Sequence, residues 1–123
     1  VSQICFDPQA TAAWVAAVWE RGTHLPIHLG LPGPVPRSKL LRVSEQIGVG
    51  PSIRVLRNHQ DGFGHAPRTT FDPDPLVAGL AESLPPPQRN VAGFHIFTFN
   101  DLESTERWRR RALARLRRES QCR

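Results

Sequence analysis

The chain has 123 residues, 39% of them hydrophobic, which is enough for one ordinary domain with a core but not for two. Its formal net charge is +5, but seven arginines lie between Arg107 and Arg118, so the basic character belongs mostly to one terminal segment. No apolar run approaches the ~20 residues that span a bilayer, and no basic start precedes a short apolar run, so we expect neither a membrane span nor a signal peptide.

The ends of the chain indicate its compartment and its completeness. Cys5 lies in an apolar run and Cys122 in a polar tail, and positions so far apart favour two free thiols in a reducing cytoplasm over a disulfide. The chain contains no Met and begins directly with a strand-like run, which suggests that an earlier part is missing. We therefore expect residues 1–123 to form the C-terminal part of a single cytoplasmic domain.

The chain begins with a strand pattern and a helix pattern. Residues 1–6 predict a buried strand. Asp7 then supplies a helix cap and Pro8 a favourable first helical residue, so a helix is predicted over residues 8–21. Gly22 follows as a residue that can end this helix in a left-handed conformation.

A second strand and helix follow. Residues 25–31 are rich in strand formers and stop at the proline-rich segment 32–36, which predicts a strand that ends in a rigid loop. Residues 37–47 predict an amphipathic helix that Gly48 ends. The expected inward positions of this helix are Leu40, Leu41, Val43 and Ile47.

The middle of the chain has a weaker pattern. Residues 51–56 predict a short helix, and residues 57–75 predict a loop because Gly and Pro interrupt any period. Residues 76–84 predict another short helix, which the three prolines at 85–87 end.

The stretch 93–103 predicts the strand and helix around which the chain is organised. Residues 93–99 are large, apolar and β-prone, which is typical of a buried strand. Asn100 and Glu103 form a capping box, so a helix over residues 101–118 is expected to follow directly. Because α/β proteins build sites at the carboxyl ends of strands, residues 98–101 are the expected site. The apolar stripe of this helix is Leu102, Thr105, Trp108, Ala112 and Leu116.

This alternation of strands and helices predicts the fold class. It is typical of parallel strands joined by right-handed crossovers. A (β/α)8 barrel takes about 250 residues and eight strands, so this chain supplies about three eighths of one. As a separate sheet, its first and last strands would be bare apolar edges.

Three segments resemble the C-terminal part of methylenetetrahydrofolate reductase. They are the strand at residues 2–7, the run 29–36 with its continuation at 38–42 and 48–50, and the strand at residues 93–100. They occur in that family's order and at compatible spacings over most of the chain, whereas residues 58–89 match weakly.

The resemblance implies a fold and an activity. It implies a flavin-containing (β/α)8 TIM barrel whose last three strand-helix units are residues 1–123, with the N-terminal part of the barrel as the missing partner. The family passes a hydride from NAD(P)H to FAD and then to 5,10-methylenetetrahydrofolate, giving 5-methyltetrahydrofolate for methionine synthesis. Most FAD contacts, and the acidic residues that promote the chemistry, come from earlier strands, so we expect this chain to be inactive alone. The resemblance leaves open the choice of NADH or NADPH and the oligomeric state, including a homo-oligomer.

Three residues match the family's substrate-binding positions. Gln3 falls on the strand glutamine that binds the folate head group, and its amide offers a donor and an acceptor to the mixed edge of a pterin. Phe97 matches an aromatic position beside the substrate, and Asn100 matches the asparagine at the strand end. Asp101 departs from the pattern, because several members carry an arginine there that helps to hold the substrate. No residue of the chain is assigned to catalysis or to cofactor binding.

Alternative interpretations compete with these assignments. Gln3 is, on the residues alone, a polar side chain satisfied by nearby backbone. The arginines of the last helix suggest a small basic module that binds nucleic acid by counterion release, but the apolar stripe favours a packed helix whose arginines face solvent. His24 and His28 are four residues apart, but Pro26 between them indicates extended chain, so we expect no metal site.

Overall fold

A computed structural model describes residues 1–49, 69–84 and 90–121. They form a mixed α/β structure with the following elements in chain order: α1 Pro8–Glu20, β1 Ile27–Pro32, β2 Val35–Pro36, α2 Arg37–Gln46, β3 Thr70–Phe71, α3 Asp74–Ser83, β4 Val91–Phe97 and α4 Leu102–Gln121. The helix predicted at residues 51–56, most of the loop at 57–75 and the prolines at 85–87 lie outside the described residues.

The first helix is formed as its caps predict. Asp7 Oδ1 accepts hydrogen bonds from the backbone N–H groups of Gln9 at 2.9 Å and Ala10 at 3.2 Å, which satisfies two of the free donors at the start of α1. At the other end Gly22 has a φ of 87°, the left-handed conformation that a helix-ending glycine adopts. The predicted bounds of this helix are therefore confirmed to within one residue.

The central sheet is small and parallel. β1 pairs with β4 in parallel, and on the other side of β1 Ile4 forms an isolated parallel bridge with Gly30. Two backbone bonds hold this first segment in place, from Ser2 N to His28 O at 2.9 Å and from Cys5 N to Gly30 O at 2.8 Å. The strand predicted at residues 1–6 is thus an extended segment with one bridge rather than a regular strand.

A second pairing was not predicted. β2 pairs antiparallel with β3, with Val35 opposite Phe71 and Pro36 opposite Thr70. These residues were expected in loops, because proline-rich and irregular segments have no strand period. The pairing has only two residues on each side, and Pro36 has no backbone N–H with which to extend it.

The second helix agrees with its predicted bounds but not with all of its predicted inward positions. α2 ends one residue early, and Gly48 follows with a φ of 76°. Leu40 is buried as expected, whereas Ile47 is 39% exposed because it lies beyond the last helical turn. Ser44, which was not among the predicted inward positions, is fully buried.

The third helix begins earlier than predicted. α3 starts at Asp74 instead of residue 76, because Asp72 Oδ1 accepts a hydrogen bond from Asp74 N at 3.0 Å and Pro75 occupies an early helical position that needs no donor. Its buried residues Leu76 and Leu80 join the core.

The strand β4 is not buried, contrary to the prediction. None of its residues falls in the buried class, Phe94 is 41% exposed, and His95 is exposed as well. Within the described residues β4 pairs only with β1 and is therefore an edge strand. On β1, by contrast, Leu29 and Leu31 are fully buried and form the centre of the core.

The last helix begins with a different cap from the predicted one. The side chain of Asp101, not Asn100, accepts the hydrogen bond from Ser104 N, at 3.0 Å. Asn100 instead lies in a left-handed turn before the helix. The predicted apolar stripe packs only in part, because Thr105 and Trp108 are buried while Leu102 is 70% and Leu116 is 56% exposed.

Candidate functional site

The contact between Phe97 and Gly30 defines the candidate site. A Cβ atom added to Gly30 would lie 2.7 Å from Phe97 Cε2, so the aromatic ring lies directly against the backbone of β1. The same position would be 2.9 Å from Ser2 O and 3.0 Å from Gln3 O. Only a residue without a side chain allows the first segment and the ring to approach β1 this closely.

Gln3 lies beside this contact and is exposed. Its Oε1 accepts a hydrogen bond from Ile4 N at 3.0 Å, and its backbone oxygen accepts one from Ser2 Oγ at 2.8 Å. The hydrogen bond from Ile4 N is what is expected if Gln3 is only a polar side chain satisfied by nearby backbone, but this bond uses the amide oxygen alone. Within the described part of the chain the amide nitrogen, which can only donate, has no partner and is the group available to a ligand.

A second ring lies next to Phe97 on β4. The ring centroids of His95 and Phe97 are 4.8 Å apart at an interplanar angle of 72°, an edge-to-face contact. Both residues lie on the face of β4 that Gly30 shares on β1, because the register pairs Gly30 with His95 and side chains alternate along a strand. The two rings lie over the buried Gly30 and form a partly exposed aromatic surface.

The turn after β4 is strained. Asp101 N donates to Thr98 O at 2.9 Å, and the two central residues, Phe99 and Asn100, have φ angles of 52° and 63°. These are the signs of a type I′ turn. Asn tolerates this conformation, but a left-handed conformation costs a bulky residue such as Phe about 1–2 kcal/mol. Such strain is common at functional sites, and here it places the exposed Asn100 at the carboxyl end of β4.

Lys39 holds this turn from another part of the chain. It lies in the first turn of α2, and its Nζ donates to the backbone oxygen of Phe99. Lys39 was not among the predicted site residues. One signal was present: a cation in the first turn of a helix opposes the helix dipole, and α2 has no acidic residue there to compensate.

Asp101 has a structural role in this arrangement. Hydrogen bonds from the backbone and side chain of Ser104 lower the pKa of Asp101, with smaller contributions from the charges of Arg107 and Lys39. The carboxylate is therefore ionised and caps α4. Of the three predicted site residues, the structure brings the backbone oxygen of Gln3 and the ring of Phe97 together at Gly30, and Asn100 follows in the turn.

A surface groove of about 550 Å³ lies between β3, the start of α3 and α4. Trp108 lines this groove, and its Nε1 donates to Asp74 Oδ1 at 2.7 Å. Arg115 forms an ion pair with the other oxygen, Asp74 Oδ2, at 2.7 Å. Both acceptor oxygens of Asp74 are thus occupied from α4. The groove is lined by Pro34, Thr69, Thr70, Phe71, Asp72, Pro73, Asp74, Trp108 and Arg111.

The arginines of α4 are partly neutralised by acidic side chains. Glu106 pairs with both Arg109 and Arg110, and these hydrogen bonds lower its pKa to about 2. Arg107 pairs with Glu103, and Arg115 with Asp74 as described above. Four of the seven arginines thus have acidic partners, which favours a solvated helix face over a surface dedicated to phosphates.

Two kinds of feature are absent from the described residues. Among them, no three His, Cys, Asp or Glu side chains lie close enough together to hold a metal ion. Within the same residues, no helix has both the length and the apolar character needed to cross a bilayer.

Comparison with known proteins yields no family: the chain matches no protein-family model and no curated protein. The function must therefore be argued from the residues and their geometry.

Proposed function

We propose that this chain is the folate-binding part of a flavoenzyme of the methylenetetrahydrofolate reductase type. The reaction reduces 5,10-methylenetetrahydrofolate to 5-methyltetrahydrofolate with electrons from NAD(P)H that pass through FAD. In this proposal the chain forms the last three strand-helix units of a (β/α)8 barrel, and the exposed edge of β4 is covered by an earlier part of the same barrel.

The arrangement of the three resembling segments supports the barrel. They lie side by side in the order of the first segment, β1 and β4, and all run in parallel. In addition, α1 connects the first segment to β1, and α4 follows β4. Consecutive parallel strands joined through helices are the repeating unit of such barrels.

The observation that carries the proposal is that the backbone of Gln3 and the ring of Phe97 both lie against Gly30. Binding a pterin requires an apolar surface for the flat ring and a polar group at the ring's edge. Phe97 with His95 provides the surface, and the amide of Gln3 provides a donor. The backbone of Gln3 and the ring of Phe97 come from opposite ends of the chain, so their proximity is not a consequence of sequence neighbourhood.

The proposal limits what this chain does for the cofactors. A bound FAD would supply the hydride-transfer chemistry between NAD(P)H and the folate. The chain has no glycine-rich phosphate loop of the dinucleotide type, so the proposal assigns the flavin phosphates to the N-terminal part of the barrel. The residues of this chain bind and orient the folate: Gln3 donates to the ring edge, Phe97 supports the ring, and Asn100 lies at the strand end.

The test is the replacement of Gln3 by Ala in the whole protein that carries this chain. Leaving a polar group of the substrate unpaired costs about 1–3 kcal/mol, so folate-driven reoxidation of the flavin should slow about ten- to a hundredfold. Reduction of FAD by NAD(P)H should hardly change, because that half-reaction does not use the amide. Stopped-flow absorbance of the flavin measures each half separately.

Two further variants sharpen the experiment. Gln3→Glu replaces the donor by a charged acceptor and should be at least as slow as Gln3→Ala. Gln9→Ala removes the same side chain from an exposed position on α1 and should leave both halves unchanged. If Gln3→Ala reoxidises at the original rate, or if both halves slow equally, Gln3 is structural and the proposal loses its main support.

A further inference from the structure

Lys39 joins the start of α2 to the end of β4, two places that are far apart in sequence. Its Nζ donates to Phe99 O at 2.5 Å, and the side chain is half-buried. The third residue of a helix is an unfavourable place for a cation, because it faces the positive end of the dipole. The structure of α2 thus gives no reason for a lysine here, whereas the turn after β4 does.

The bond from Lys39 depends on the conformation of that turn. The accepting oxygen belongs to the peptide between Phe99 and Asn100, the central peptide of the type I′ turn. In the mirror-image alternative, the type I turn, Phe99 and Asn100 both leave the left-handed region and the central carbonyl points to the opposite side of the turn. Only one of the two turns can therefore accept the hydrogen bond from Lys39.

We propose that Lys39 is a positioning residue: by binding the Phe99 carbonyl it selects the left-handed turn and so fixes the direction in which Asn100 meets the substrate. The part concerning substrate rests on the function proposed above, in which Asn100 binds folate. The part concerning the turn does not depend on that function and is tested separately.

The first experiment measures the turn by NMR. Phe-Asn occurs once in the 123 residues, so labelling Phe carbonyls with ¹³C and Asn amides with ¹⁵N selects the amide of Asn100 within this chain. In the unsubstituted protein, the positive φ of Asn100 gives a strong intraresidue NOE between its amide and α protons. In Lys39→Met this NOE should weaken, because losing a charge-assisted hydrogen bond changes the ratio of the two turns about tenfold or more.

Two variants serve as controls for this measurement. Lys39→Arg keeps the positive donor and should retain most of the NOE, and it keeps the test valid if Lys39→Met fails to fold. Arg42→Met removes an exposed cation from the same helix and should leave the NOE unchanged. An unchanged NOE in folded Lys39→Met would overturn the proposal, whatever the activity of the variant.

The second experiment measures the substrate in the whole protein. Lys39→Met should raise the KM for methylenetetrahydrofolate about tenfold, with rescue by Lys39→Arg and little change in flavin reduction by NAD(P)H. If the NOE weakens but the folate KM stays the same, Lys39 sets the turn without positioning a substrate group. The part of the proposal that concerns the substrate is then overturned. If the whole protein shows no folate-driven reoxidation, the proposed function fails, while a weakened NOE still supports Lys39 as the residue that selects the turn.

Discussion

Replacement of Gly30 by Ala tests the contact on which the candidate site depends. The added methyl group would lie 2.7 Å from Phe97 Cε2 and within 3.0 Å of the backbone oxygens of Ser2 and Gln3. The ring can rotate away, but the two oxygens belong to a segment that is hydrogen-bonded to β1. We therefore expect the substitution both to displace Phe97 and to push the first segment away from β1.

The expected cost follows from two opposing effects. Overpacking a close contact costs about 1–3 kcal/mol, whereas Ala in a strand is favoured over Gly by about 0.5–1 kcal/mol. Gly30→Ala should thus lower the free energy of unfolding by about 1–2 kcal/mol. Urea unfolding followed by far-UV circular dichroism measures this change, provided that the slope with urea is the same for all variants.

A double-mutant cycle separates the ring from the backbone. With Leu at position 97 the ring contact is gone but both backbone oxygens remain, so Gly30→Ala should cost less in the Phe97→Leu background without becoming neutral. Gly48→Ala is the control: its Cβ would meet nothing within 4 Å, and its cost comes from a φ of 76°, so it should not depend on residue 97. An equal cost of Gly30→Ala with Phe or Leu at position 97 would refute the reasoning.

Two further predictions concern α4. Trp108→Phe keeps most of the buried ring but removes the hydrogen-bond donor to the Asp74 carboxylate. The free energy of unfolding, measured in urea, should therefore fall by about 1.5–3 kcal/mol. Unchanged stability would mean that this hydrogen bond contributes nothing. The pKa of Glu106 is lowered to about 2 by hydrogen bonds from Arg109 and Arg110. The ionised Glu106 side chain should therefore stabilise the fold fully above the usual glutamate pKa of 4.5, and this stabilisation should disappear as the pH falls towards 2. Acid titration of the far-UV circular dichroism should show this loss, and Glu106→Gln should remove that part of the pH dependence; a titration curve identical in the variant would contradict the assignment.

Where local chemistry decides the structure, the sequence predicted it well. The bounds of α1 and α2 follow from residues that act within one turn of the helix end, such as Asp7, Gly22 and Gly48. These side chains and glycines have the same effect wherever the rest of the chain lies. The parallel direction of β1 and β4 likewise follows from the helix pattern between strands.

Where the structure depends on distant residues, the prediction was wrong or incomplete. Asn100 and Glu103 form a plausible capping box, but the turn held by Lys39 moves the start of α4 to the next residue, and Asp101 becomes the cap. The burial of β4 could not be judged from its composition, because an apolar edge strand and an apolar central strand look the same in sequence.

The candidate site shows the same division. Gln3, Phe97 and Asn100 were proposed through resemblance alone, and their assignment to a ligand stays a prediction. The approach of Gln3 and Phe97 depends on the absence of a side chain at Gly30, which nothing in the local sequence distinguishes from a turn glycine. Lys39 was missed because its acceptor, the backbone oxygen of Phe99, carries no sequence signature at all.

The pairing of β1 with β4 has a consequence for how the chain folds. Ile27 and its partner Val91 are separated by 64 positions, and the bond from Lys39 to Phe99 spans a similar length. During synthesis, β1 therefore leaves the ribosome long before the strand that covers one of its sides. Because non-local contacts incur the entropy of closing a long loop before they form, sheet formation should be slow and should wait for the last quarter of the chain. Until then the apolar edge of β1 is open to other chains, which makes the interval before β4 appears the period of greatest risk of aggregation.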